Sequence, residues 1–156
     1  MIGPHVIGSI NHHQQTIQRW QPRVALLLEP AAGAAAQWKT WSPNTFLVGR
    51  VFRPDGEIES RIAANPQEAA HWAADIVRNN AIYNREIDAW QFNNEVMLAN
   101  PTQLAKLAEF SIAFVDLLFQ DGLHAAIGGF STGCPEVPEL DEMAAWNAFC
   151  RPCDMG

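Results

Sequence analysis

A continuous apolar run at residues 23–28 (RVALLL) constrains the fold of this chain more than any other feature. Apolar and polar residues do not alternate in it, so it predicts a strand buried on both faces, as in parallel sheets. Four further runs predict strands at residues 4–10, 45–52, 87–92 and 124–130. Helix-forming segments separate the five runs. This alternation predicts an α/β fold with a parallel sheet built from βα repeats.

The segments between the strands carry helix start and stop signals. Asn11 is a candidate cap for a helix at residues 13–20, and an Ala-rich helix is predicted at residues 31–41, with Gly33 as its weak point. Three more helices are expected to begin at Asn65-Pro66, Asn100-Pro101 and Val137-Pro138. Gly122 stands where a C′ glycine would end the second of them. Residues 53–64 open with the turn sequence RPDG, which predicts a long loop.

Two architectures fit five βα units. One is an open, doubly wound sheet, and the other is part of a (β/α)8 barrel, which typically needs about 250 residues. A chain of 156 residues is expected to form one domain. No predicted strand is followed by G-x-G-x-x-G, and there is no G-x-x-x-x-G-K-[ST]. The sequence therefore predicts no nucleotide cofactor, and we expect no metal site.

The charge and hydropathy of the chain exclude two classes of partner. The net charge is −7, whereas a nucleic-acid partner would require a basic patch. No apolar run approaches the roughly 20 residues that span a bilayer, so no membrane partner is expected. The first residues lack a basic segment followed by an apolar one, which predicts no signal peptide and a cytoplasmic location.

Polar residues follow four of the five predicted strands. They are His12 and His13, Arg50, Asn93-Asn94-Glu95, and Ser131-Thr132. The carboxyl ends of parallel strands meet at one edge of a sheet, which is where ligands bind in α/β proteins. We therefore expect these side chains to form a site.

The fourth predicted strand, with the sequence WQFNNE at residues 90–95, resembles the Asn-Glu signature of clan A retaining glycoside hydrolases. Residues 48–51 (VGRV) and 127–133 (IGGFSTG) are similar to strands three and five of such barrels. The resemblance covers about residues 4 to 149. It implies that Glu95 is the catalytic acid/base and that Asn94 orients the substrate. The further substrate-binding residues that we predict are Arg50, Trp90, Asn93 and His12.

A retaining mechanism also needs a second carboxylate, which acts as the nucleophile. In the family it lies on strand seven, whereas this chain is expected to be a single barrel-type domain truncated after the fifth βα unit. Glu29 and Glu136 are the alternatives within the chain. We therefore expect a glycoside hydrolase-like protein that is inactive alone if no nucleophile is supplied. The alternative is a non-catalytic carbohydrate-binding or assembly module. The expected partners are a carbohydrate ligand and either a second copy or a C-terminal half that covers the open sheet edges.

Cys150 and Cys153 form a C-x-x-C pair after the last predicted helix. Such a pair serves as a redox centre or as half of a zinc site. A redox motif normally precedes a helix, and the sequence offers no second ligand pair for zinc. A small oxidoreductase remains a third alternative, and the role of the two cysteines is left open.

Overall fold

The computed structural model describes residues 3–93 and 101–128, and it confirms the α/β prediction. Four parallel strands alternate with helices. The strands are β1 (His5–Ile7), β2 (Val24–Leu28), β3 (Phe46–Arg50) and β4 (Ala89–Gln91). The helices are α1 (Gln14–Trp20), α2 (Ala34–Trp41), α3 (Asp55–Ala64), α4 (Pro66–Ala81) and α5 (Pro101–Gln120), and a 3-10 helix spans Asn11–His13.

The chain divides into two compact units. Unit 1 comprises Met1–Phe52 and Ile76–Phe92, and it contains β1 to β4. Unit 2 comprises Arg53–Asp75 and Asn93–Gly156, and it contains α3 and α5. Helix α4 contributes its first part to unit 2 and its last turns to unit 1. In the parts of the chain that the structure describes, every helix is too short or too polar to cross a bilayer.

The strands lie in the order β1-β2-β3-β4, and each pairs in parallel with the next one along the chain. In a doubly wound sheet the order in which successive strands are added reverses at a switch point, whereas in a βα barrel each strand lies beside the one before it. Among the described strands there is no reversal. Of the two architectures that the sequence leaves open, the order is therefore consistent with a partial βα repeat of the barrel type.

The two faces of the sheet differ in burial. One face, the buried face, is at most 9% exposed at each of its apolar side chains: Val6, Ala25, Leu27, Leu47 and Trp90. The other face, which we call the open face, contains three rows of register partners: Ile7–Leu28–Arg50–Gln91, His5–Leu26–Val48–Ala89 and Val24–Phe46. Ile7, Val24 and Phe46 on the open face are 70%, 44% and 47% exposed. On the same face Leu26 and Ala89 are 8% and 5% exposed, so the open face is buried at these two positions and exposed at Ile7, Val24 and Phe46.

Two of the predicted helix boundaries are confirmed with their mechanism. The Asn65 side-chain Oδ1 accepts a hydrogen bond from the Glu68 N–H at 3.2 Å, which caps α4. Gly122 follows α5 with a φ of 72°. Its N–H donates to the Phe119 carbonyl, and the Leu123 N–H donates to the Leu118 carbonyl, which together form a Schellman motif.

Two other boundaries differ from the expectation. Gly33 does not weaken the interior of α2 but precedes it, with a φ of 77° that suits glycine. Asn11 does not cap α1, because residues Asn11–His13 form a 3-10 turn that leads into the helix. The Asn11 N–H instead donates to the Ser9 hydroxyl at 3.4 Å.

The expectation of a loop at residues 53–64 is wrong, because α3 occupies most of this range. Ile58 and Ile62 lie one helical turn apart and are 1% and 4% exposed. Their burial stabilises the helix despite the turn sequence at its start. Pro54 stands at the N-cap, where a missing N–H removes no helical hydrogen bond.

The predicted fifth strand falls at the limit of the described residues. Within residues 124–128, Ala125 makes an isolated β-bridge and its neighbours have no strand assignment, while residues 129 and 130 lie outside the described ranges. The prediction of the last helix, together with Ser131, Thr132, Glu136, Cys150 and Cys153, also falls outside them.

Residues 82–88 lead from α4 to β4 and run beside α2. At the start of α2, the Gly33 N–H donates to the Tyr83 carbonyl at 2.9 Å, and the Ala35 N–H donates to Asn84 Oδ1 at 3.2 Å. Near the end of α2, Lys39 Nζ donates to Asp88 Oδ2 at 2.7 Å. This connection therefore fixes β4 to the rest of unit 1 at both ends of one helix.

Candidate functional site

The carboxyl edge of the sheet is the candidate site, and the register places two of its polar residues side by side. Arg50 is the last residue of β3, Gln91 is the last residue of β4, and the two are register partners. Register partners on adjacent strands share a face of the sheet. Both residues are half-buried, and both already have interaction partners in the structure. They form the polar end of an otherwise largely apolar row on the open face.

Glu29 follows β2 at the same edge, in a backbone conformation that is unusual for it. Its φ is 50°, which lies in the left-handed region and favours glycine. The Glu29 N–H still continues the parallel ladder by donating to the Arg50 carbonyl at 2.8 Å. In a regular ladder, the Phe52 N–H would next donate to the Glu29 carbonyl. Here it donates to the Glu29 carboxylate oxygen Oε1 at 2.6 Å instead.

This exchange of hydrogen-bond acceptor fixes the Glu29 carboxylate at the carboxyl edge of the sheet in unit 1. The side chain takes the place of the backbone carbonyl that the left-handed turn directs elsewhere, and the ladder between β2 and β3 ends there. Glu29 is exposed, and among the described residues its second oxygen, Oε2, has no hydrogen-bond partner. The geometry therefore leaves one carboxylate oxygen held by the backbone and one open to a ligand.

His12 lies in the 3-10 helix that follows β1, so the sequence places it correctly after a strand of the sheet. It is exposed, as is its neighbour His13. Among the described residues, His12 makes no contact with another predicted site residue. Its role in substrate binding stays a prediction.

Trp90 is packed in the sheet rather than displayed at its edge. It is 1% exposed and belongs to the buried face, where it lies against Gly49 of β3. Its indole N–H is buried without an acceptor among the described residues, so packing alone holds the ring. A ring with this exposure has no free face for a sugar in this conformation. The prediction that Trp90 binds substrate therefore gains no support from its packing.

The remaining predicted residues follow β4. Asn93 is 3% exposed and has an interaction partner within the protein. Asn94 and Glu95, the predicted substrate-orienting amide and acid/base, lie outside the described residues. Their roles remain predictions that rest on their position in the sequence, directly after the fourth strand.

Sequence reasoning missed Gln91, although it stands in the same short phrase as Trp90 and Asn93. Its partnership with Arg50 depends on the register between β3 and β4, which no local pattern reveals. The alternation of side chains along β4 was the available signal. If Trp90 faces the core, the residues on either side of it face the other way.

Unit 2 contains a surface depression between α3 and the start of α4, apart from the candidate site in the sheet. It has a volume of about 150 Å³ and is lined by Arg61, Ala64, Asn65, Glu68 and Ala69. The Arg61 guanidinium is already engaged, since it lies 4.3 Å from the centre of the Trp72 ring and 3.2 Å from Glu57. The Arg61 guanidinium and the Asn65 Oδ1 atom are thus already engaged within unit 2, and the sheet edge remains the candidate site.

Neither metal binding nor relatives add to this picture. Within residues 3–93 and 101–128, no group of three or more His, Cys, Asp or Glu side chains could hold a metal ion. No family model, no curated protein and no solved structure matches the chain.

Proposed function

We propose that this chain is a glycoside hydrolase-like protein whose carbohydrate ligand binds at the carboxyl edge of the sheet. The observation that carries the proposal is the strand order. Four parallel strands in sequential order place Glu29, Arg50 and Gln91 at the one edge where α/β proteins bind ligands. Asn94-Glu95 follows the fourth strand in the sequence, which is where the glycosidase resemblance requires the acid/base.

The residue types suit this chemistry. A carboxylic acid must protonate the leaving oxygen of the glycosidic bond, and Glu95 is proposed for that step. Asn94 is proposed to bind a hydroxyl of the sugar next to the reacting carbon. The Arg50 guanidinium donates hydrogen bonds and the Gln91 amide both donates and accepts them, and together they match an array of sugar hydroxyls.

The mechanism also needs a second carboxylate, acting as a nucleophile or as the base that activates water. Glu29 is the carboxylate that unit 1 holds at this edge, with Oε1 fixed by the Phe52 N–H. We therefore include Glu29 in the test of the reaction. Replacing each carboxylate by its amide tests the two roles separately: Glu95→Gln removes the acid/base, and Glu29→Gln removes the second carboxylate.

The experiment is to assay the purified 156-residue chain against a panel of nitrophenyl glycosides. We expect release of nitrophenol by the unaltered chain and a loss of about 100-fold or more in kcat for Glu95→Gln. Glu109→Gln, at an exposed position of α5, is the matched control and should retain the rate. A comparable loss for Glu29→Gln identifies the second carboxylate. If the unaltered chain releases nitrophenol from no glycoside, it is not a hydrolase by itself.

The second candidate is a carbohydrate-binding module without turnover. The half-buried Arg50–Gln91 pair favours this function, because binding a sugar needs hydrogen-bonding groups but no second carboxylate. Calorimetric titration with sugars separates the two functions. Arg50→Gln should weaken binding about tenfold or more, whereas Arg23→Gln, at the opposite end of the sheet before β2, should leave it unchanged. Equal affinities for both variants would place the ligand elsewhere.

A further inference from the structure

The turns that follow β1 and β2 are built alike except for one side chain. Gly8 follows β1 and Glu29 follows β2, and their φ angles are 66° and 50°. Each residue donates its backbone N–H to the neighbouring strand, Gly8 to the Leu28 carbonyl at 2.9 Å and Glu29 to the Arg50 carbonyl at 2.8 Å. The two residues therefore share a left-handed conformation and a place in the ladder, and glycine is the residue that adopts this conformation without strain.

The next position on the neighbouring strand explains why the second turn contains glutamate. In a parallel ladder, the residue two positions after the acceptor carbonyl donates the following N–H. For Gly8 that residue is Pro30, which has no N–H to donate. For Glu29 it is Phe52, whose N–H donates to the Glu29 carboxylate at 2.6 Å. Of these two turns, the carboxylate is thus present at the one where an N–H has to be bound.

We infer that Glu29 is a positioning residue, which clamps the end of β3 so that Arg50 is held at the carboxyl edge of the sheet. Its backbone N–H binds the Arg50 carbonyl, and its carboxylate binds the Phe52 N–H two residues further on. Val51, between them, is 2% exposed. Glu29 thereby fixes the backbone of three consecutive residues. The first of these carries the guanidinium that is proposed to meet the ligand.

The clamp gives the glutamate a function beyond satisfying a donor. The Glu29–Phe52 bond lies at an exposed position, where water can also accept an N–H. A carboxylate adds a fixed geometry and a stronger, charge-assisted bond. A non-glycine residue held in the left-handed region is strained, and such strain clusters at functional sites. The role of the clamp in binding rests on the proposed function, whereas the clamp itself can be measured without a ligand.

The first test compares Glu29→Gly with Glu29→Gln by NMR. Glycine suits the left-handed conformation and removes only the carboxylate, whereas glutamine retains an oxygen that can accept from the Phe52 N–H. We expect the Phe52 amide to exchange its hydrogen about tenfold faster in Glu29→Gly, and the Arg50 Nε–H signal to shift. Glu29→Gln should restore both properties towards those of the unaltered chain. Circular dichroism confirms that each variant is folded.

The second test asks whether the clamp acts on binding through Arg50. The probes are methyl glucoside, methyl galactoside and methyl xyloside, titrated by calorimetry. We expect Glu29→Gly to weaken the binding of a recognised glycoside about fivefold or more. In an Arg50→Gln background, Glu29→Gly should cause no further loss, because the two residues act as one unit.

Three results would overturn the positioning role. They are unchanged exchange of the Phe52 amide in Glu29→Gly, a Glu29→Gln variant that behaves like Glu29→Gly, and equal losses of affinity with and without Arg50. Absence of binding by every probe contradicts the proposed function instead. In that case the exchange of the Phe52 amide and the Arg50 signal still decide whether Glu29 clamps the end of β3.

Discussion

The ring of Trp90 lies directly against the backbone of Gly49 on the neighbouring strand. A Cβ atom built on Gly49 would stand 2.8 Å from Cε3 and from Cζ3 of Trp90, and 2.5 Å from Cδ1 of Ile87. Glycine normally weakens a strand, because it contributes no side chain to the packing. At this position its missing side chain provides the space for an indole that is 1% exposed.

We expect Gly49→Ala to lower the free energy of unfolding by about 1–3 kcal/mol, because the new methyl overpacks the buried face. Urea denaturation measures the change. Gly56→Ala is the control, since no heavy atom lies within 4 Å of its Cβ position and alanine favours the α3 helix. Equal stability of Gly49→Ala and the unaltered chain would mean that the ring moves freely to make room.

Thr45 and Ser42 form a buried polar chain at the start of β3, and each is 1% exposed. The Thr45 hydroxyl donates to the Pro22 carbonyl at 2.6 Å, so the Ser42 hydroxyl donates to Thr45 Oγ1 at 2.7 Å. We expect Thr45→Val to cost about 1–3 kcal/mol, because it leaves two buried groups without a partner.

Thermal or urea unfolding of Thr45→Val tests this expectation. Thr40→Val is the matched control, because the Thr40 hydroxyl bonds a carbonyl of its own helix at an exposed position. A cost for Thr45→Val no greater than that of the control would contradict the role assigned to the buried chain.

The Lys39–Asp88 pair should stabilise unit 1 more than an ordinary surface ion pair. Its side chains are 24% and 33% exposed, Lys39 Nζ also donates to the Thr45 carbonyl, and Asp88 Oδ2 also accepts from the Leu47 N–H. A double-mutant cycle of Lys39→Met and Asp88→Asn measures the coupling energy, which we expect to be about 1 kcal/mol.

The pair of Glu57 and Arg61 on α3 is the comparison for this cycle. Arg61 Nη2 lies 3.2 Å from Glu57 Oε1, and the side chains of Glu57 and Arg61 are 40% and 44% exposed. We expect a coupling of about 0.3–0.5 kcal/mol there, and a greater loss of it in high salt. A smaller coupling for Lys39–Asp88 than for Glu57–Arg61 would refute the ranking.

Asn84 joins the connection before β4 to the turn between β2 and α2. Its Oδ1 accepts from the Ala35 N–H at 3.2 Å, and its Nδ2 donates to the Pro30 carbonyl at 3.4 Å, at a position that is 1% exposed. We expect Asn84→Ala to cost about 1–3 kcal/mol, since both backbone groups lose a partner. Chemical denaturation provides the measurement.

Asn79→Ala, at an exposed position of α4, serves as the control for Asn84→Ala. It should be neutral or slightly stabilising, because alanine is the better helix former. Hydrogen exchange at the Ala35 amide adds a local readout. Unchanged protection of that amide in Asn84→Ala would show that the side chain is dispensable there.

Local signals in the sequence predicted much of the fold. The strand predictions at 45–52 and 87–92 contain β3 and β4, and the cap at Asn65 and the glycine at Gly122 are confirmed, because each depends on a few adjacent residues. Helix α3 was missed because its turn-forming start outweighs two isoleucines whose burial depends on distant packing.

The candidate site could be predicted only in part. The sequence indicates that Arg50 ends a strand, since its position after an apolar run is a local property. That Gln91 stands beside it follows from inter-strand register, and the fixed carboxylate of Glu29 follows from a left-handed turn at a non-glycine residue. Neither has a local sequence signature, so both had to come from the folded chain.

For this protein the sequence by itself determined that strands and helices alternate in a parallel α/β arrangement, because apolar runs and helix caps act over a few neighbouring residues. Only the tertiary structure decided the strand order and which side chains on each face of the sheet are buried. Those properties arise from hydrogen bonds and contacts between residues far apart in the chain. The pairing of Gly49 with Trp90 is an example, because the space left by one residue has value only once the other strand lies beside it.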